Sequence, residues 1–184
     1  FDEGDWAASA RCFMKECNKH QINCYLERSR SGNGGHVWIF FEKAIPANKS
    51  RKVVFDLLVA AGIVSSFDNN GSFDRLFPNQ DSLSGKGMGN LIALPLNGIS
   101  AQNYNTCFID PTTLIAYENQ WTFLETIQRN TADHFMRLLE KIEIKSSTAP
   151  DNVTGGSAKL IILLENKIRL NKSAITTKLQ AFLK

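Results

Sequence analysis

The chain has 184 residues, 43% hydrophobic and 21% charged, which excludes a disordered or fibrous protein and leaves room for one domain, or one domain plus an appendage. Its net charge of +3 is too small to demand a nucleic-acid partner by itself. No apolar run reaches membrane-spanning length and no signal peptide is recognisable, so the expectation is a cytoplasmic protein with no membrane role.

The chain opens Phe1-Asp2-Glu3 without an initiator methionine, which reads as the end of a strand already in progress and hence as an excised fragment. Asp5 then caps a helix to about His20, with Trp6, Ala10, Phe13, Met14 and Cys17 on one face. Residues 22 to 28 alternate as a strand, with Cys24, Leu26 and Arg28 together. Residues 36 to 42 form a second strand, with His36, Trp38 and Phe40 on one face. The short glycine loop between them predicts an antiparallel pair.

Pro46 starts a helix through about Ala61 that buries Val53, Val54, Leu57 and Leu58, and Gly62 ends it. Residues 65 to 89 are loop-rich, and a loop of that length in a compact domain is functional or disordered. Asn90 to Leu94 and Cys107 to Ile109 read as further strands. Residues 119 to 144 read as two short helices or one broken one. Asp110 precedes Pro111 and is explained by an Asp-Pro turn. Trp38, Phe40 and Trp121 are read as core aromatics before base-stacking platforms.

At Lys145 the composition turns to small polar residues and turn formers, which predicts a linker over 145–157. Residues 158–184 are too short for a core of their own, and are read as the start of a downstream domain or a tail packed back. Residues 1–144 would be the functional core. Cys12, Cys17, Cys24 and Cys107 lack C-x-x-C spacing and are expected to be reduced thiols.

The chemistry concentrates in three segments. Glu27 to Phe40 leads a basic run, with Arg28, Arg30 and Ser31, into a loop with three glycines among residues 32 to 35, and then into His36. Glycines let backbone N–H groups converge on an anion, and arginines add positive charge, so the segment suits a phosphate. The bland alternative is a hairpin loop with incidental arginines. Asp2 and Asp74, separated carboxylates at strand ends, suit hard divalent cations. Lys86 and Asn90 follow in the third segment. Together these groups describe two-metal nucleotidyl transfer. Read blandly, Asp2 is an exposed terminal residue, His36 a strand-end histidine bonded to a carbonyl, and Asp74 a turn former before Pro78.

These motifs resemble the archaeo-eukaryotic primase superfamily, specifically the primase-polymerase domain of TOTE conflict system proteins. Glu27-Arg-Ser-Arg-Ser-Gly-Asn-Gly-Gly-His-Val-Trp-Ile-Phe-Phe41 is similar to that family's second motif. Phe73-Asp-Arg-Leu-Phe-Pro-Asn-Gln-Asp-Ser82 and Gly89-Asn-Leu-Ile-Ala-Leu-Pro95 are similar to its third motif and the strand after it. The resemblance covers roughly residues 1 to 142. It implies an α/β (α+β) fold, the RRM-like half of a primase-polymerase core, with an antiparallel-leaning sheet and helices on one face.

By the same resemblance Asp2 and Asp74 are metal ligands for Mg²⁺ or Mn²⁺, and His36 contacts the incoming nucleotide's phosphates. Ser31, Gly34 and Gly35 form the phosphate-facing loop, flanked by Arg28 and Arg30, while Lys86 and Asn90 touch triphosphate or template. Implied partners are a DNA or RNA template, nucleoside triphosphates, and helicase and nuclease domains in the same polypeptide. The family opens with an Asp-hydrophobic-Asp pair, of which Phe1-Asp2 supplies the last two positions. Many superfamily members carry Ser-x-His, and here Gly34 occupies the serine's place. The competing expectation is a catalytically inactive nucleic-acid or nucleotide-binding module on the same scaffold.

Overall fold

The computed structural model describes residues 1–2, 4–64, 72–81 and 91–148. Contacts divide the chain into two compact units, Phe1–Ile142 and Glu143–Lys184. In the first unit a small antiparallel sheet is combined with helices, an α+β arrangement.

Helix α1 (Trp6–Lys19) begins where Asp5 Oδ1 accepts the Ala8 N–H at 2.9 Å, as a helix cap should. Apolar residues spaced three and four apart put Ala7, Ala10, Phe13 and Cys17 on its buried face. Strands β1 (Tyr25–Arg28) and β2 (Gly35–Trp38) pair antiparallel, with Leu26 opposite Val37 and Glu27 opposite His36. The predicted hairpin is present, but each strand is shorter than expected. The buried Asn130 explains this. Its side chain accepts the Asn23 N–H and donates to the Asn23 and Phe40 carbonyls. Its backbone pairs with Phe40 and Glu42. The flanks of the hairpin therefore satisfy their backbone groups on Asn130 and not on each other.

The sheet is widened by short bridged segments. Phe108 lies opposite Glu27, Ile109 opposite Ala116, and Asp2 opposite Gly34. On the far side of Asp2, the Ser72 carbonyl accepts its N–H at 2.7 Å. The Cys107 to Ile109 expectation holds in this form, as a segment bridged to β1.

Helix α2 (Ala47–Ala60) follows Pro46 and buries Val53, Val54, Leu57 and Leu58, as its periodicity predicts. The short α3 (Gly98–Ala101) and α4 (Gln120–Glu125) precede α5 (Ala132–Thr148). Phe13 from α1, Leu57 and Leu58 from α2, and Phe135 and Leu139 from α5 share one core cluster, against which Val37, Ile39 and Phe41 pack. Period 2 thus sends His36, Trp38 and Phe40 to the other face.

Three expectations are corrected. Residues 91 to 94 form no strand, and Leu91 and Leu94 are 72% and 73% exposed, because no neighbouring segment takes up their backbone among the described residues. Trp121 is exposed on α4 and not in the core, since Phe123 turns inward in its place. Helix α5 runs through Thr148 and so takes in Lys145 to Thr148, where linker was expected. The rest of that linker and the tail lie outside the described residues.

Asp110 is the turn former the sequence suggests. Its Oδ1 accepts the Thr113 N–H at 2.7 Å, the Thr112 N–H at 2.9 Å and the Thr113 hydroxyl at 3.1 Å. These bonds, the Thr113 N–H foremost, hold its carboxyl below the usual range. A carboxyl lowered in the folded state contributes stability above its unfolded pKa, and that stability is lost as pH falls through the folded value. In acid melts, Asp110→Asn should therefore flatten the loss of stability below about pH 4. Superimposable acid limbs for the two proteins would show that the turn is not ionisation-linked.

Candidate functional site

The sheet face turned away from the α1, α2 and α5 core is built from alternate residues of β1 and β2. Glu27 lies at its centre, 1% exposed, because β2 flanks it on one side and Phe108 on the other. Its Oε2 accepts the Trp38 Nε1–H and stands 3.1 Å from His36 Nδ1. Trp38 stacks on Phe40, with ring centroids 6.0 Å apart and planes 9° from parallel. Tyr25 continues the row, 6.1 Å from Phe40 and 5.9 Å from Phe123 of α4. The face therefore has an aromatic end beneath α4 and an open polar end at His36, whose side chain is 46% exposed.

Asp2 arrives at the polar end through backbone pairing. Phe1 and Gly35 exchange two bonds of 2.9 Å, N–H to carbonyl in each direction. The Phe1 ring packs into the core against Phe13 and Phe73. Alternation then turns Asp2 outward, beside Gly34 and on the same side as His36. Phe73 packs against the core, and its neighbour Asp74 is exposed. Burial pushes the Phe1 ammonium below its ordinary range, while the carboxylates of Asp74 and Asp2 act on it in the opposite sense. Asp74 also pairs with Arg75, its Oδ2 lying 2.6 Å from Nε.

The expected phosphate loop is arranged differently from its sequence reading. The Gly35 N–H is donated to the Phe1 carbonyl, and the Gly34 carbonyl accepts the Ser29 N–H at 2.9 Å. A Cβ on Gly34 would stand 2.6 Å from the Phe1 carbonyl oxygen, and one on Gly35 would stand 2.6 Å from Trp6 Cζ3. Close approach of another strand and of an indole requires these glycines, and the Gly35 N–H is not available to a phosphate. The Ser31 hydroxyl lies 3.1 Å from that of Ser29 and accepts the Asn33 N–H at 3.3 Å, so it serves the loop itself.

Arg28 is also redirected. It alternates with Glu27, lies on the opposite side of β1, and donates from Nη2 to the Leu114 carbonyl at 2.5 Å. Its buried Nε has no partner among the described groups. Arg30 is exposed at the loop, where its carbonyl accepts from Asn105 Nδ2 at 3.2 Å. Lys86 and Asn90 lie outside the described residues. Glu27 belongs to the quoted motif but was not singled out from sequence, because burial of a carboxylate leaves no mark in a polar run.

Two carboxylates are the right kind of donor for a hard divalent cation. Among the described residues, no three His, Cys, Asp or Glu side chains converge as a metal set. Also among them, no helix is long and apolar enough to cross a membrane. In comparisons with known proteins, the family model described as the TOTE conflict system, Archaeo-Eukaryotic Primase domain, matches residues 1–138. No curated protein matches the chain.

Proposed function

We propose, because this chain belongs to the archaeo-eukaryotic primase domain family of TOTE conflict systems, that its outward sheet face serves template-dependent nucleotidyl transfer. The observation that supports this reading is that Asp2 is paired beside Gly34, two residues from the exposed His36, and is bonded through its N–H to Ser72, two residues before Asp74. In this reading the sheet is the RRM-like half of a primase-polymerase core. Asp2 and Asp74 supply oxygen ligands for Mg²⁺ or Mn²⁺, and His36 faces the phosphates of a nucleoside triphosphate. A cation held there would neutralise charge on the leaving pyrophosphate and favour ionisation of the attacking hydroxyl.

The remaining work is positioning and electrostatics, with no covalent protein intermediate. Arg30, exposed at the loop, and Lys86 and Asn90 add contacts to triphosphate or template. The template is DNA or RNA, and helicase and nuclease regions act from the same polypeptide. A second reading, a silent nucleic-acid or nucleotide-binding module, is favoured by one observation: Asp2 and Asp74 are joined by no third ligand among the described residues.

The deciding experiment supplies the first aspartate of the family's pair by extending the chain at its N-terminus. Labelled nucleotide incorporation is then measured on primed and unprimed DNA and RNA templates with Mg²⁺ or Mn²⁺. Incorporation is the expected result. Nucleotide or nucleic-acid binding without incorporation on any template would establish the silent module instead.

A further inference from the structure

Glu27 is the least explained group on this face. Its side chain is 1% exposed, and a carboxylate is a costly choice for a buried position that an apolar residue of similar volume would fill. Its surroundings show what the carboxylate does there. The Trp38 indole nitrogen can only donate, so Glu27 Oε2 accepts at that contact. The same oxygen meets His36 Nδ1 at 3.1 Å. Trp38 is itself braced by its stack on Phe40, and β1 is flanked on both sides. The carboxylate is therefore held from one side by a fixed indole and presented to an imidazole on the other.

We propose that Glu27 is a positioning residue that keeps a proton on His36 Nδ1 and turns Nε2 outward toward the ligand. An acceptor oxygen at Nδ1 selects the tautomer that a free histidine side chain populates less, and sets the ring plane. The neutral ring then offers its Nε2 lone pair to the site. Once protonated, it offers an Nε2–H to a phosphate oxygen, with the Glu27 charge beneath it. That the ligand is a triphosphate rests on the function proposed above, whereas the tautomer does not.

The test is the ¹⁵N chemical shift of both His36 ring nitrogens in the folded chain, at a pH where the ring is neutral. The wild type should show Nδ1 protonated and Nε2 bare. Glu27→Gln, which keeps an acceptor oxygen, should retain that pattern, and Glu27→Leu should revert to Nε2–H. An Nε2–H tautomer in the wild type overturns the proposal without reference to any variant.

Binding of Mg²⁺-ATP supplies the second readout. Glu27→Leu should weaken it about tenfold, the scale on which a group supporting a ligand acts. In a His36→Ala background the same change should have no further effect. Additive losses would show that Glu27 acts independently of His36 and would overturn the proposal. Absence of ATP binding in every form would count against the triphosphate reading, while the tautomer measurement would still decide the role of Glu27.

Discussion

Changing Asp74 to asparagine should abolish templated nucleotide incorporation while leaving the fold intact. Asp74 is exposed, and its ion pair with Arg75 joins two side chains that are 44% and 55% exposed. Such pairs contribute about 0–1 kcal/mol, so the substitution should shift stability by no more than that. The effect on chemistry should be far larger, because a neutral amide cannot replace a carboxylate as ligand to a hard cation. Incorporation should fall about a hundredfold or more, the scale on which loss of one charge-stabilising group acts. The comparison is template extension by the N-terminally extended chain against its Asp74→Asn partner, at matched protein and metal concentrations. Equal incorporation by the two would remove Asp74 from the mechanism.

Alanine at Gly34 should be among the most damaging small substitutions in the chain. The added Cβ would meet the Phe1 carbonyl oxygen at 2.6 Å and Asp2 Oδ1 at 2.9 Å. The first of these is backbone, held by the paired bonds between Phe1 and Gly35, so it cannot swing aside as a side chain would. Overpacking of this kind costs about 1–3 kcal/mol. In a chain of this size that lowers Tm by roughly 3–10 °C. The strand that must yield is the one carrying Asp2, so metal-dependent nucleotide binding should weaken beyond what the lost stability explains. Gly98→Ala is the control: a Cβ there meets nothing within 4 Å, and the substitution should be neutral or slightly stabilising. Equal Tm values for Gly34→Ala and Gly98→Ala would show that the Phe1–Asp2 strand is loosely held.

Periodicity made the helices legible. Asp5 and the spacing of Ala10, Phe13 and Cys17 define α1, and Pro46 with the Val53 to Leu58 run defines α2, because capping and amphipathic burial act within a few residues of sequence. The hairpin and the shared outward face of His36, Trp38 and Phe40 follow from period 2 in the same way. So does the grouping of Leu26 with Arg28. The sequence did not reveal which of the two faces would carry the chemistry. That depends on register, and register places Glu27 opposite His36 and sends Arg28 to Leu114.

The quoted motifs were enough to identify the family, since they are short strings read directly. What each residue does was set by partners remote in sequence. Gly34 and Gly35 have the composition of a phosphate cradle, while Phe1 and Trp6 lie against them. Residues 91 to 94 read as a strand because a strand's apolar pattern does not say whether a neighbour exists to pair with it. Local pattern determined the helices, the hairpin and the lineage of this chain. Only tertiary packing decided that the Gly35 N–H is bonded to Phe1, that Arg28 turns to Leu114 and that a carboxylate lies buried under His36, because hydrogen bonding and desolvation depend on the groups brought near, whatever their separation along the chain.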